Sequence, residues 1–272
     1  MKNILAIFLT FITACVVFLV MTNFNVDFTT RKTKATQHQT VSQPKTQETA
    51  TKEDGQAQEK TADGKPVGKW VYLTFDDGPS QYTGQFLDIL KKENIKATFF
   101  MQGVNLKKTE LQENVKRAIK EGHYIGAHSM THDANKLYKQ EQFLPEMKEC
   151  ISIIHDITGK SPTLIRAPYG SAPELKKKEK IDQIVNAGLK MWDWTIDSED
   201  WKLKETDSPS IILDNIQKGT TDDVEVVLMH EKPKTLEELP AIIQFYKEKG
   251  YSFGVYNESN HFHVTFTKDP RL

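Results

Sequence analysis

The chain has 272 residues, 38% hydrophobic and 27% charged, which suits one globular domain of about 200 residues plus an additional segment. Its 36 basic and 37 acidic residues leave a net charge of −1, so no overall basic field exists to favour nucleic acid as a partner.

The additional segment comes first. From Ile4 to Met21 the chain is apolar and uncharged, and about 18 such residues can cross a bilayer with little tilt. Residues 1–24 therefore read as a single-pass membrane anchor. A cleaved signal peptide is the competing reading, although its apolar core is usually shorter, about 7–15 residues. Arg31, Lys32 and Lys34 outnumber Lys2, so flanking charge orients the segment only weakly. The short N-terminal tail leaves no room for a domain on its own side, which puts the rest of the chain outside the cell. "ITAC", residues 12–15, also resembles a bacterial lipoprotein signal that would lipidate Cys15, but the apolar run continues past it through "VVFLVM". Residues 25–66 read as a flexible polar linker. From 29 to 66 there is no aromatic residue, and Val41 is the only branched aliphatic. Such a stretch buries too little apolar surface to offset its ordering entropy. Cys15 and Cys150 form no CxxC and read as structural, the lipid-bearing alternative for Cys15 aside.

From Lys69 onward short apolar runs alternate with amphipathic stretches. Strands are expected over 70–75, 96–102, 123–128, 163–167, 189–196, 224–230 and 251–256. Helical spacing fills the intervals, as in "GQFLDILKKEN", "LQENVKRAIKEG" and "IIQFYKEKG". Ser208-Pro209 reads as a cap followed by a first-turn proline, and "TLEE" (235–238) as a capping box. This alternation implies an α/β fold with a parallel sheet covered by helices. With about seven strands, a closed or nearly closed barrel is favoured over an open doubly wound sheet. No GxGxxG or GxxxxGK[ST] supports a nucleotide site.

In either architecture the site lies at the carboxyl ends of the strands. Those ends carry Asp76 and Asp77, His128, Arg166, Asp197 and Asp200, and His230. Singly, each has a bland explanation: Asp-Asp-Gly-Pro suits a turn, and a lone histidine is commonly structural. Their common placement is the signal. "HSMTH" puts His128 and His132 at i and i+4, on one face if the stretch is helical. With a carboxylate from another strand end they would make a two-histidine, one-carboxylate set, which leaves a metal position open for water or substrate. One aspartate of the 76–77 pair could then bind metal while the other stays ionised as a base.

"TFDDG" (74–78), "HSMTH" (128–132), "RAPYG" (166–170), "DSEDW" (197–201) and "LMH" (228–230) occur in the order of the five motifs of the NodB-homology polysaccharide deacetylases, carbohydrate esterase family 4. The chain resembles that family from about Trp70 to Tyr256. The resemblance implies a distorted (β/α) barrel over 67–260, with residues 261–272 as a C-terminal tail. It implies a divalent metal, Zn2+ first and Co2+, Ni2+ or Mn2+ as alternatives, held by Asp77, His128 and His132. It further implies Asp76 as catalytic base, Arg166 as its partner and His230 as general acid, with Asp200 or Asp197 behind His230. Tyr169 and Pro168 would line the oxyanion side, and Leu228 and Trp201 the acetyl pocket, though core roles for the last two stay open. The expected substrate is N-acetylglucosamine in peptidoglycan. Chitin oligomers, N-acetylmuramic acid and O-acetylated xylan stay open, and an inactive carbohydrate-binding domain would be expected to lack one of the key residues. No protein partner is expected, and the chain reads as a monomer at the membrane, or otherwise secreted or lipid-anchored.

Overall fold

The computed structural model describes residues 59–62 and 64–272. The anchor read over 1–24 and the linker up to residue 58 lie outside the described residues. Among those described, no helix is long and apolar enough to cross a membrane. The end of the expected linker is ordered: Lys60 pairs antiparallel with Pro66, and Val67 N–H donates to Glu59 O at 2.9 Å.

β1 (Trp70–Gly78) is the axis of the molecule. Its alternation sends Tyr72, Thr74 and Asp76 to one face and Val71, Leu73 and Phe75 to the other, and all six are buried. A strand covered on both faces reads as such a continuous run. The other strands are β2 (Thr98–Met101), β3 (Tyr124–Ala127), β4 (Leu164–Ile165), β5 (Lys190–Met191), β6 (Ile196–Asp197), β7 (Val224–His230) and β8 (Ser252–Gly254). Between them run α1 (Thr83–Lys92), α2 (Gly103–Leu106), α3 (Gln112–Lys120), α4 (Phe143–Thr158), α5 (Lys178–Asn186), α6 (Ser210–Gly219) and α7 (Pro233–Glu248). All strand pairings are parallel, in the order β5-β4-β3-β2-β1-β7-β6. β8 pairs with Trp70–Tyr72 and β2 with Thr74–Gly78, so these two share the edge of β1 opposite β7.

The sheet is curled into a half-barrel, open between β5 and β6, rather than closed. The single strand expected over 189–196 is in fact two, on opposite edges. Met191 and Ile196 are five residues apart, so the two edges lie within about 17 Å of each other. The C-terminal segment occupies this gap. Val264 bridges Trp192, Asp193 N–H donates to Val264 O at 2.7 Å, and Trp192 Nε1–H donates to Phe262 O at 2.8 Å. Residues 261–272, expected as a tail beyond the domain, thus pack into it, with Phe262, Val264 and Leu272 buried.

Two cores result. Inside the curl, Trp192 touches Tyr72, Tyr256 and Phe262, with ring centroids 5.3, 4.9 and 4.8 Å away. Outside it, Leu73, Phe75, Phe99, Val227 and Met229 pack on the helices through residues such as Phe86, Leu90, Ile242 and Tyr246. Each large apolar side chain so buried contributes roughly 1.5–3 kcal/mol. The polar groups gather at the carboxyl ends of the strands, above the inner core.

Candidate active site

β1 ends in two aspartates, and neighbouring side chains on a regular strand point to opposite faces. Asp77 escapes this with φ of 68°, a left-handed value that Asp tolerates better than most residues, and pairing to β2 slips between Asp76 and Gly78. Both carboxylates consequently face one imidazole: His128 Nε2 lies 3.7 Å from Asp76 Oδ2 and 3.6 Å from Asp77 Oδ1.

Asp76 is buried, and Arg166 compensates its charge. Arg166 Nη1 donates to Asp76 Oδ1 at 2.8 Å and to Thr74 Oγ1 at 2.7 Å; Nη2 donates to Asp193 O at 2.7 Å and Nε to Trp192 O at 3.1 Å. The guanidinium is wholly buried and lies 4.1 Å from the Phe100 ring centroid. A planar fork held at four points has no freedom to turn away from the carboxylate. Asp77 is more exposed. Gln102 Nε2 donates to its Oδ1, and Asn105 Nδ2 donates to its main-chain oxygen at 2.9 Å. Burial opposes ionisation of Asp77, but the facing imidazoles of His128, His230 and His132 and the Gln102 amide outweigh it and hold the carboxyl below its ordinary pKa.

A helical "HSMTH" would stack His128 over His132. The segment is instead a loop, with Ser129 and His132 left-handed at φ of 62° and 55°. The rings nevertheless meet, 5.1 Å apart. Their tautomers follow from their neighbours. His128 Nδ1 lies 2.9 Å from Arg166 O, and a carbonyl only accepts, so Nδ1 carries a proton and the neutral ring has its lone pair on Nε2. The Tyr169 hydroxyl donates to His132 O at 2.8 Å, so at 3.1 Å it accepts from His132 Nδ1–H, again leaving Nε2 with a lone pair. Burial and the neighbouring His128 keep the pKa of His132 below its ordinary value. Tyr169 itself is left-handed at φ of 66°, and the main-chain oxygen of Pro168 accepts from Tyr138 Oη at 2.5 Å, which fixes this turn. Asp193, fully buried, accepts from Ser171 N–H at 2.8 Å and from Phe266 N–H at 2.6 Å, tying the turn to the C-terminal segment.

Across the mouth stands His230 at the end of β7. Its Nδ1 lies 2.7 Å from Asp200 Oδ1, while Asp200 Oδ2 accepts from His230 N–H at 2.7 Å and from Thr235 Oγ1 at 2.6 Å. Burial alone would lower the pKa of His230. The hydrogen bond and charge of Asp200, with Asp76 and Asp77 beyond, reverse this and raise it. Its Nε2 faces Asp77 Oδ2 at 3.9 Å. Of the two candidate partners, Asp200 is the one that meets His230. Asp197 is occupied elsewhere, accepting from Glu199 N–H at 2.8 Å and from Trp201 Nε1–H at 3.3 Å. Thr235 does not head a capping box. α7 begins two residues earlier, at Pro233, and the Thr235 hydroxyl serves Asp200 instead. Pro209 likewise is the cap of α6 rather than its first residue. Leu228 is buried, in register with Thr74 on the inner face below the aspartates, and Trp201 is half exposed beside Asp197.

Asp77, His128 and His132 fit a divalent ion. One ligand atom from each lies within 4.8 Å of the others. The Nε2–Oδ1 separations of 3.6 and 3.8 Å are too long for hydrogen bonds, and lone pairs facing a carboxylate repel unless a cation sits between them. A tetrahedral ion with bonds near 2.1 Å holds its ligand atoms about 3.4 Å apart.

The polysaccharide deacetylase family model matches residues 63–192. A peptidoglycan-N-acetylglucosamine deacetylase of Bacillus cereus is 46% identical over 220 residues, covering 78% of this chain and 80% of its own. The chain belongs to the polysaccharide deacetylase family. The crystal structure of the polysaccharide deacetylase Bc1974 from Bacillus cereus superposes with a TM-score of 0.72 at 46% identity, over 75% of this chain and all of that one. As a member of carbohydrate esterase family 4, this deacetylase also resembles a mutant family pseudoenzyme with restored activity, at 29% identity and a TM-score of 0.62 over 72% of this chain and 69% of that one. Sequence reasoning about this deacetylase missed Gln102, Asn105, Asp193 and Thr235, whose hydrogen bonds to Asp77, Arg166 and Asp200 come from outside the five motifs.

Proposed function

We propose that this deacetylase removes the N-acetyl group from N-acetylglucosamine residues of peptidoglycan. The observation that carries the chemistry is the opposed state of its histidines: Nε2 of His128 and His132 present lone pairs toward Asp77, while His230, backed by Asp200, favours its proton. A bound divalent ion, Zn2+ first with Co2+, Ni2+ or Mn2+ as alternatives, would be held by Asp77, His128 and His132 and would supply the Lewis acidity that polarises the acetyl carbonyl and lowers the pKa of water.

The remaining steps belong to the chain. Asp76, held in place by Arg166, takes the proton of the attacking water. The negative charge that develops on the acetyl oxygen is met by the backbone N–H at Tyr169, beside Pro168. His230 protonates the departing nitrogen, which an amide requires because an amine anion leaves poorly. Asp200 orients that imidazole and sustains its charge; Asp197 orients Trp201, which walls the acetyl pocket over Leu228. The complete set argues against an inactive carbohydrate-binding domain. Peptidoglycan is favoured by the Bacillus cereus relative, whose name carries that substrate. Residues 1–24 as an anchor and 25–66 as a linker would put a monomeric catalytic domain outside the cell, within reach of the wall.

The test is mass spectrometry of peptidoglycan, chitin oligomers and acetylated xylan after incubation with the full chain and Zn2+. Loss of acetyl groups from N-acetylglucosamine of peptidoglycan is expected. Loss only from N-acetylmuramic acid, chitin or xylan would reassign the substrate, and no loss from any of them would remove the activity.

A further inference from the structure

The loop between His128 and His132 has two left-handed residues and none of the backbone ladder a helix or strand would provide. Its four N–H groups from Ser129 to His132 are nevertheless all taken. Ser129 N–H donates to Met147 Sδ at 3.3 Å, and His132 N–H to Ser129 Oγ at 3.0 Å. The other two converge on one carboxylate oxygen: Met130 N–H and Thr131 N–H donate to Glu146 Oε2 at 3.1 and 2.9 Å. The Thr131 hydroxyl reaches both oxygens of the same carboxylate, at 2.9 and 3.0 Å.

We propose that Glu146 is a positioning residue that sets the separation of His128 and His132 before any metal arrives, a reading that rests on the metal-dependent function above. Several features support it. Glu146 lies in the first turn of α4, where the helix dipole favours a carboxylate, and is 8% exposed. An ionised carboxylate offers acceptors only, which suits three converging donors, and charge-assisted hydrogen bonds are about twice as strong as neutral ones. The loop has little latitude on its other side, because Met130 packs on Gly103, where any Cβ would lie 1.9 Å from its sulfur. Glu146 bonds neither imidazole. It acts through the peptide units between them, in place of the hydrogen bonds that a helix would have used to bring i and i+4 together.

The test compares the full chain with Glu146→Ala, Glu146→Asp and Glu146→Gln. Zn2+ affinity is measured by chelator competition, the Co2+ d–d spectrum is recorded, and the melting temperature is taken without metal. Outer partners of metal ligands typically account for 10–100-fold in affinity. Glu146→Ala should weaken Zn2+ by that factor and alter the Co2+ spectrum. Glu146→Asp, one methylene too short to reach the loop, should do the same and decides the matter if the alanine variant does not fold. Glu146→Gln can keep both N–H bonds and turn its amide toward Thr131 Oγ1, so it should stay within a few-fold of the unmutated chain. Unchanged Zn2+ affinity and Co2+ spectrum in Glu146→Ala or Glu146→Asp, whatever the melting temperature, would reduce Glu146 to a core residue and overturn the proposal. Absence of Zn2+ binding in the unmutated chain would instead overturn the metal reading beneath it.

Discussion

The two walls of the site use the same side chain for opposite purposes. On the β3–β4 wall, His128 and His132 have their Nδ1 protons claimed by Arg166 O and the Tyr169 hydroxyl, neutral acceptors that leave Nε2 bare. On the β7 wall, the Nδ1 of His230 meets an ionisable carboxylate, Asp200, and the imidazolium is favoured. Here a carbonyl and a hydroxyl stand behind the two proposed ligands, and a carboxylate behind the proposed acid, whose charged form it favours. Burial is common to both walls and does not distinguish them.

Removing the first wall should have the largest effect. Asp77→Ala or His128→Ala should lose bound metal and nearly all turnover. The melting temperature without metal should change little, since these side chains sit at the strand ends and outside both apolar cores. Metal analysis, assay and calorimetry on each variant check this, and a variant that kept metal and rate would take its residue out of the site. Asp76→Asn comes next. It should keep the metal, because its neighbour Asp77 is the proposed ligand, while the rate falls by about 10²–10⁴, the usual range for a general base. Stability should fall too, because the wholly buried Arg166 would lose its counter-charge, and breaking a buried pair costs roughly 3–5 kcal/mol when one partner is removed outright.

The second wall is probed by substrate. His230→Ala should lose about 10²–10⁴ in rate on an N-acetyl amide and much less on an aryl acetate, whose phenolate leaves without a proton. Equal losses would mean that His230 does not protonate the leaving group. Asp200→Asn should move the alkaline limb of the rate profile to lower pH. The sign follows from the raised pKa: the active form is protonated, so activity falls as pH rises through that value, and the value drops when the carboxylate is neutralised.

The smallest effect should come from Glu231, which joins the two walls. It follows His230, and its Oε2 accepts from Ser80 N–H at 3.1 Å and from Ser80 Oγ at 2.8 Å, behind the Asp77 turn. A Cβ at Gly78 would fall 2.0 Å from Glu231 Oε1, so a larger residue there would displace the carboxylate. Burial raises the Glu231 carboxyl from 4.5 to about 7. Its contribution to stability is therefore complete below pH 4.5 and is lost as pH rises through about 7. Glu231→Gln should flatten the pH dependence of the melting temperature across that window. An unchanged slope would show that the group does not titrate there.

These contrasts were only partly legible in the sequence. β1 and β7 announce themselves as long apolar runs ending in chemistry, because both their faces are buried. The stretch 189–196 reads as one strand because Leu189, Met191, Trp192, Trp194 and Ile196 dominate it; only the curl of the sheet splits it between two edges. The i, i+4 spacing of "HSMTH" identified the right pair for the wrong local reason. Left-handed turns at Ser and His leave no periodic trace, and the carboxylate that stabilises the loop lies 15 residues beyond Thr131, where an acid in a first helical turn reads as ordinary capping. Asp197 and Asp200 could not be separated by position, since both sit at the same strand end. The 2.7 Å contact of Asp200 with His230 Nδ1 and the use of Asp197 by Glu199 and Trp201 separate them.

The opposed histidines can be observed directly by ¹⁵N-resolved NMR of the imidazoles in the metal-free full chain at pH 6.5, the ordinary imidazole value. The predicted result is a mostly neutral His132 and, wherever His128 is neutral, the Nδ1–H tautomer for both, beside a His230 carrying protons on both nitrogens in most molecules. A neutral His230, or an Nε2–H tautomer at His128 or His132, would contradict the assignment of ligands to one wall and acid to the other.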